Sequence, residues 1–261
     1  MNGLQIPTQL LIIYLLVHLR YIGLIFSSPV FTAAMAPAPF RYIFAVMLTA
    51  SSIAVINTDM IPTIYLDGVM TLGALAVREL FIGLALGFIS ALPLYALQVA
   101  GELTGTATGF SMAQVMDPSS QTQTSIFGQL YFLMAIWMYF HWNGHLIMVR
   151  ALVESLKLVK LGQINFLPSG DLSIGKWLQE LFILAVRMTI PFYCALVLSD
   201  IGLGFLARTV PQMNIFVVGL PVKVMLGFMV LAVALPLAMD FIFTKFEHWI
   251  EFALAVLFNW K

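Results

Sequence analysis

Charged residues are scarce in this sequence. Of its 261 residues, 9% are charged and 61% are hydrophobic, whereas ordinary soluble domains carry about 25% charged residues. Residues 80–101 and 118–149 contain no Asp, Glu, Lys or Arg, and a membrane-spanning helix needs only about 20 mostly apolar residues. The composition therefore excludes an ordinary soluble domain and predicts an all-α membrane protein, with residues 1–261 forming a single membrane domain.

Other features that would mark a function are also missing. The formal net charge is +0, so no basic field favours binding to nucleic acid. The single cysteine, Cys194, has no second cysteine for an internal disulfide. Because it stands in an apolar stretch, we interpret it as a packing residue.

The residue sets that would support catalysis or metal binding are incomplete. His141 and His145 have the spacing of one helix face, but no acidic residue or cysteine stands near them, and an Asn-Gly pair between them indicates a helix end. The sequence Gly109-Phe110-Ser111 begins like a nucleophile elbow, yet the second glycine of that motif is replaced by alanine. We predict no catalytic, cofactor-binding or metal-binding residue and no enzymatic activity.

Long hydrophobic segments are what the sequence does contain. We predict about six long hydrophobic helices, some of them broken or forming re-entrant hairpins. The proline-containing stretch Ser27–Phe40 is predicted to be a bend or loop, and the most hydrophilic connection is Arg150–Trp177. The six segments are Leu10–Phe26, Tyr42–Ile56, Val69–Ala100, Ile126–Val149, Leu178–Leu198 and Met213–Met239.

A few charged residues fall within or at the ends of these segments. Each would cost roughly 2.5–3.5 kcal/mol at the centre of a bilayer if it faced lipid, so we expect these side chains to face protein or water. Pairing between helices or subunits is the favoured interpretation, and an ion path is the alternative. The residues are Arg20, Arg78, Glu79, Glu102, Arg187 and Lys223.

Gly101, Gly105 and Gly109 recur every four residues. Residues four apart lie on one helix face, and a row of small residues lets another backbone approach closely. Two interpretations remain open. The row packs tightly within this chain, or it forms a narrow, deformable wall in a larger assembly.

Bulky, flexible side chains follow this row and stand directly before a polar stretch. Methionine suits surfaces that must re-pack, so a collar of this kind beside glycines is able to close a pore. A simple turn with core residues at its edge is the alternative, and the residues alone favour it. The collar and the start of the polar stretch comprise Phe110, Met112, Val115, Met116, Asp117 and Pro118.

Four segments together resemble the flagellar export-gate R subunit (the FliR family), which is similar to the matching subunit of type III injectisomes. They are SSPVFTAAMAPAPFR from Ser27, GELTGTATGFSMAQVMDPSSQTQ from Gly101, WNGH from Trp142 and PQMNIFVVGLPVKVMLGF from Pro211. Each is weak alone, but the ordered set covers most of the chain and is specific.

The resemblance implies a non-enzymatic subunit that assembles with P and Q subunits into a helical, hetero-oligomeric ring. A B-type specificity-switch membrane subunit would pack around its cytoplasmic mouth. The ring would lie in the bacterial inner membrane at the centre of the flagellar basal body, where unfolded flagellar proteins pass through it.

Two sites are carried over by position from the same resemblance. The segment Phe110–Gln123 corresponds to the loop that plugs the channel. The segment containing Pro211, Asn214 and Pro221 corresponds to a broken-helix turn. A small-solute secondary transporter is the alternative function, since such proteins also place charges and broken helices in the membrane. The lack of a clear repeat of the two halves disfavours it.

Overall fold

The structure, a computed structural model, describes residues 8–33, 37–53, 69–109, 125–158, 161, 174–210, 212 and 217–233. Every regular element in these ranges is helical, which confirms the predicted all-α class. The helices are α1 Thr8–Ser27, α2 Pro29–Ala33, α3 Ala38–Ile53, α4 Val69–Ala107, α5 Ile126–His141, α6 Gly144–Leu158, α7 Ile174–Thr209 and α8 Val217–Val233.

Three of the described helices, α1, α4 and α7, are long and apolar enough to cross a membrane, and α5 and α8 are shorter apolar helices. Helix α4 has 39 residues and continues through Pro93. At a rise of about 1.5 Å per residue it is about 58 Å long, whereas the hydrocarbon core of a bilayer is about 30 Å thick. Apolar length therefore does not translate into one simple span per segment.

Within the predicted bend or loop Ser27–Phe40, most of the described residues are helical. Pro29 is the first residue of α2, and Pro37 immediately precedes α3, where its carbonyl oxygen accepts the Phe40 N–H at 2.9 Å. The prediction of a loop is wrong for Pro29–Ala33 and for the start of α3, whereas the interruption at Ser28 agrees with a bend. Proline interrupts a helix interior but is well accommodated at a helix start, where its missing N–H has no intrahelical partner to lose.

The predicted connection Arg150–Trp177 is also wrong at both ends, because α6 continues to Leu158 and α7 begins at Ile174. Charge does not exclude a helix here. Arg150 Nε lies 3.1 Å from Glu154 Oε1, one turn further along, a spacing that supports a solvated helix.

The predicted fourth segment is divided into α5 and α6. Trp142 donates its N–H to the Met138 carbonyl at 3.0 Å, and Asn143 adopts a φ of 57°. Asparagine enters this left-handed region more easily than most residues. The break confirms the helix end indicated by the Asn-Gly pair and places His141 and His145 on different helices.

The chain divides into two compact units. The first comprises Met1–Ala91, Asn143–Leu172 and Phe246–Lys261, and the second comprises Leu92–Trp142 and Ser173–Lys245. Helix α4 contributes residues to both. The organisation as a single membrane domain remains a prediction.

In the first unit, α1 packs against α3 through polar as well as apolar side chains. The hydroxyls of Tyr21 and Ser52 are 2.6 Å apart, and His18 Nδ1 lies 3.1 Å from Thr49 Oγ1. All four side chains are buried. Polar groups that are removed from water require such partners, so these pairs fix α1 and α3 relative to each other.

Candidate functional site

In the second unit, the C-terminal part of α4 lies unusually close to the start of α5. A Cβ built on Gly101 would lie 2.6 Å from the Phe127 carbonyl oxygen, and one built on Gly105 would meet the side chain of Ser125. Real Cβ atoms do not come this close to such atoms. Two members of the predicted glycine row are therefore positions where a larger residue would push α4 and α5 apart.

A carboxylate joins the two helices at the same place. The Ser125 N–H donates to both Glu102 oxygens at 3.0 Å, and Ser125 Oγ accepts the Phe127 N–H at 3.2 Å. Ser125 caps α5, and Glu102 satisfies the cap's own N–H as the glutamate of a capping box does. The negative charge also complements the positive end of the helix dipole. We call Gly101, Glu102, Gly105, Ser125 and Phe127 the α4–α5 anchor.

Gly109 is the last described residue of the turn that follows α4. Its φ is +80°, which glycine adopts without the penalty that other residues incur, and its N–H donates to the Thr106 carbonyl at 3.1 Å. A Cβ at this position would lie 3.3 Å from a methyl carbon of Leu220 on α8. The third glycine of the row is thus favoured by the conformation of the turn.

Helix α8 packs against Phe127 of the anchor. The rings of Phe127 and Phe228 are 5.0 Å apart, and a Cβ on Gly227 would touch the Phe127 ring and Thr108. Lys223 Nζ lies 2.5 Å from Asp200 Oδ1 on α7. The contacts of Phe228 and Gly227 bring α8 against Phe127 and Thr108, which lie close to the two ends of residues 110–124.

In the first unit, α1 and α4 enclose a buried ionic cluster. Arg20 Nε donates to Glu79 Oε2 at 2.7 Å, and another Arg20 nitrogen donates to Ser155 Oγ at 3.1 Å. The side chains of Arg20 and Glu79 are 0% exposed. Arg78 is also buried, with a guanidinium nitrogen 3.8 Å from the second Glu79 oxygen. Removing one partner of such a pair leaves an uncompensated charge in the interior.

Glycines allow this cluster to form. A Cβ on Gly23 would lie 2.6 Å from the Leu80 carbonyl oxygen, and one on Gly83 would meet the Arg20 backbone. The two backbones are therefore close enough for Arg20 to reach Glu79. The sequence singled out the charges of α1 and α4, but neither Gly23 nor Ser155, because no local spacing connects them with Glu79.

The predicted buried charges do not share one environment. Arg78 and Glu79 are buried, Glu102 is half-buried in the anchor, and Lys223 is half-buried beside Asp200. Arg187 is exposed on α7, so no described residue of this chain buries it, and its pairing with another subunit stays a prediction. A charge in an apolar helix requires protein or water around it, but that protein need not belong to the same chain.

Cys194 is exposed as well, so no described residue of this chain buries it, and its interpretation as a packing residue stays a prediction. Pro221 lies inside α8 and does not break it within Val217–Val233. One proline is tolerated in an apolar helix when neighbouring groups compensate for the missing hydrogen bond. Pro211 and Asn214 of the predicted turn lie outside the described residues.

The predicted plug also lies outside the described residues, at Phe110, Met112, Val115, Met116, Asp117 and Pro118. Its described neighbours are Gly109 and Ser125. Among the residues that the structure describes, no three His, Cys, Asp or Glu side chains are grouped so that they could hold a metal ion.

The long apolar helices, the glycine-lined contacts and the buried ion pair define a helical membrane protein built for close helix packing. Residues 11–249 match the family described as "Bacterial export proteins, family 1". The match covers most of the chain, and the chain belongs to this family.

Named relatives support the same assignment. The chain is 34% identical over 226 residues to flagellar biosynthetic protein FliR of Bacillus subtilis, covering 85% of each chain. It is 28% identical over 251 residues to FliR of Aquifex aeolicus, covering 93% of this chain and 95% of the relative. It is also 28% identical over 167 residues to secretion system apparatus protein SsaT of Salmonella typhimurium, covering 63% and 64%.

These relatives confirm the resemblance to the FliR family and to the matching subunit of injectisomes. Membership in an export family favours protein export over the alternative of a small-solute transporter. The names of the family and of these relatives describe components of an export apparatus.

Proposed function

We propose that this chain is a non-enzymatic subunit of the flagellar type III protein export gate. In that role it helps to form and plug the channel through which unfolded flagellar proteins cross the bacterial inner membrane, at the centre of the basal body. The observation that carries the proposal is the family match over residues 11–249. The flagellar relative from Bacillus subtilis, at 34% identity over 85% of both chains, favours the flagellar branch.

The surface of the isolated chain supports partners within the membrane. On α7, Leu198 is 70% exposed and Phe205 is 67% exposed, and on α4, Met70 is 89% exposed. Apolar surface on this scale marks a protein or membrane contact. The proposed protein partners are P and Q subunits in a hetero-oligomeric ring and a B-type specificity-switch membrane subunit.

The plug is proposed for the segment between Gly109 and Ser125, with Phe110, Met112, Val115 and Met116 as its apolar collar and Asp117-Pro118 at the start of its polar part. The α4–α5 anchor supports this proposal. It holds the two ends of the segment through tight backbone contacts and through the Glu102 carboxylate. A segment with fixed ends is able to change conformation while the helices that carry it stay in place.

Two further roles complete the proposal. The glycines at positions 101, 105 and 109 let helices approach closely in the assembled ring. The chain near Pro211 and Asn214 forms a turn that interrupts helix before α8, with Pro221 lying beyond the turn rather than breaking the helix itself.

Co-purification tests the proposal. The tagged chain should be expressed alone and together with the P and Q subunits, and each preparation should be analysed by size-exclusion chromatography with mass determination. We expect one defined complex with the partners and aggregation-prone or low-yield material without them, because the exposed apolar helices lack cover. A stable, monodisperse monomer that ignores both partners would refute the role in the ring.

A further inference from the structure

The buried ionic cluster of the first unit leaves one arginine poorly compensated. Arg20 Nε donates to Glu79 Oε2 at 2.7 Å, and both side chains are fully buried. Arg78 lies beside the same carboxylate, but its Nη1 is 3.8 Å from Glu79 Oε1, whereas an N–H···O hydrogen bond spans about 2.7–3.2 Å. The two guanidinium groups therefore share one carboxylate, and Arg20 holds the better position.

Arg78 has few other ways to balance its charge. Its side chain is only 8% exposed, and no acceptor in the described part of the chain forms a hydrogen bond with Nη1. Glu79 cannot turn towards Arg78 without leaving Arg20, and the close contacts of Gly23 and Gly83 fix the two helices there. Because a buried charge requires a counter-charge and hydrogen bonds, a further anion would complete the cluster.

The position of Arg78 along α4 indicates where such an anion comes from. Residues 80–101 carry no Asp, Glu, Lys or Arg, and this run is about 33 Å long at about 1.5 Å per residue. The hydrocarbon core of a bilayer is about 30 Å thick. A helix whose uncharged run crosses that core places Arg78, just before the run, at the depth of the phospholipid phosphates.

The guanidinium group also selects the chemistry of the anion. Its planar fork matches the oxygens of a phosphate and binds them through charge-assisted hydrogen bonds. Basic sites between helices at headgroup depth take the head groups of anionic phospholipids. The remaining exposure of Arg78 leaves an edge of its side chain at the surface of the chain, so a phosphate is able to reach it from outside.

We propose that Arg78 is a phosphate-binding site, occupied by the phosphate of an anionic phospholipid that completes the charge of the buried cluster. Inorganic phosphate offers the same oxygens and is the second source of this chemistry. The inference concerns the first unit and does not depend on the proposed export role.

Ligand-dependent stability tests the site. The full-length chain, with the subunits that co-purify, should be delipidated in an uncharged detergent. Its thermal unfolding should be measured with phosphatidylglycerol, with phosphatidylcholine of the same acyl chains, with inorganic phosphate, and with sodium chloride at equal ionic strength as the control for screening. We expect phosphatidylglycerol, at tenfold excess over its Kd, to raise the Tm by about 3 °C or more above the value in phosphatidylcholine.

Variants connect this gain with Arg78. Arg78→Gln removes the charge and should abolish the gain, whereas Arg78→Lys keeps the charge without the planar fork and should retain part of it. Arg150→Gln, at an arginine whose side chain is 80% exposed, is the matched control and should keep the whole gain. Native mass spectrometry gives a readout besides stability, in which the wild type should retain a phosphatidylglycerol that Arg78→Gln loses.

The outcomes decide between the two sources of phosphate and test the site itself. A gain from phosphatidylglycerol alone assigns the site to a lipid headgroup, and an equal gain from inorganic phosphate assigns it to phosphate from either source. Equal Tm values with all four additions, or equal gains for the wild type and Arg78→Gln, would refute the site. If Arg78→Gln fails to fold, the four additions to the wild type and the Arg78→Lys variant still decide. None of these results bears on the proposed function, which co-purification tests separately.

Discussion

The two units use close helix contacts in different ways. In the first unit, glycines bring α1 against α4, and a fully buried ion pair between Arg20 and Glu79 joins the two helices. In the second unit, glycines bring α4 against α5, but the connection is a half-buried carboxylate that caps a helix end. Loss of one partner of a buried pair leaves the other charge uncompensated and is strongly destabilising. A helix cap contributes about 1 kcal/mol, and its loss affects mainly the end of that helix.

The α1–α4 contact stabilises the fold, whereas the α4–α5 anchor lies beside a segment that is proposed to move. The α1–α4 contact lies within both helices, at Arg20 and Glu79, while the α4–α5 anchor joins the C-terminal part of α4 to the start of α5, on either side of residues 110–124. Helix ends open at lower free energy than helix interiors. We therefore expect changes in the first unit to abolish the fold and changes in the second to alter local opening first.

The largest effect is expected from breaking the buried pair. Glu79→Leu leaves Arg20 uncompensated and should lower the free energy of unfolding by about 3–5 kcal/mol, measured by thermal unfolding of the purified complex in detergent. The control is the double variant Arg20→Met with Glu79→Leu, which removes both members of the pair and should recover part of the loss, because buried Arg78 is still left without the Glu79 carboxylate. Equal destabilisation of the single and double variants would show that the charge pairing is not what holds α1 against α4.

The next effect is expected from crowding the anchor. Gly105→Leu places a side chain where Ser125 already lies, and overpacking of this kind costs about 1–3 kcal/mol or more. We expect loss of gate assembly and of motility. Gly73→Leu in the same helix is the matched control, because a Cβ at Gly73 meets nothing within 4 Å. Normal motility of the Gly105 variant would contradict the close-packing role.

A smaller, local effect is expected from removing the carboxylate of the anchor. Glu102→Ala leaves the Ser125 N–H without its acceptor, at a cost of about 1–3 kcal/mol, while Glu102→Gln keeps an acceptor oxygen and loses only the charge, a difference of about 0.3–1 kcal/mol. Hydrogen–deuterium exchange should rise at the start of α5 in the order wild type, Gln, Ala. Exchange that rises equally throughout the complex would show that the anchor is not a separate local unit.

The smallest effect is expected at the α7–α8 ion pair. Lys223 and Asp200 side chains are 24% and 53% exposed, so water screens them, and Lys223→Ala should change the free energy of unfolding by less than about 1 kcal/mol. The thermal unfolding of this variant should be compared with that of Arg150→Ala, which removes an exposed i,i+4 pair. If Lys223→Ala lowered the free energy of unfolding as much as Glu79→Leu, solvent exposure would not explain why the Arg20–Glu79 pair matters more than the Lys223–Asp200 pair.

The long helices were predictable because uninterrupted apolar runs leave few alternatives to helix. The break between α5 and α6 was also predictable, since asparagine and glycine accept the conformation that ends a helix. The helical start of α3 near Pro37 and the helical Arg150–Leu158 were missed. In the first case, proline stands at a helix start, where its missing N–H costs no hydrogen bond. In the second case, the charged residues stand on a solvated helix, where they pair one turn apart.

The contacts across helices were not predictable from spacing. Arg20 and Glu79 are 59 residues apart in the chain, and Glu102 and Ser125 are 23 apart, so no local pattern pairs them. The glycine row indicated a close approach but not the helix that approaches. Arg187 was predicted to face protein or water because the cost of a charge in lipid is known, but this cost does not tell which group the side chain meets.

The most direct test of the central claim measures ion leak through assembled gates whose proposed plug is altered. Complexes with Phe110, Met112 and Met116 replaced by alanine should be reconstituted into vesicles and compared with wild type and with a control in which Phe40, Met47 and Met225, all exposed, are replaced instead. The account predicts rapid ion leak from the first variant alone, at equal amounts of assembled complex. Vesicles as tight as those of wild type would contradict the claim that this segment closes the channel.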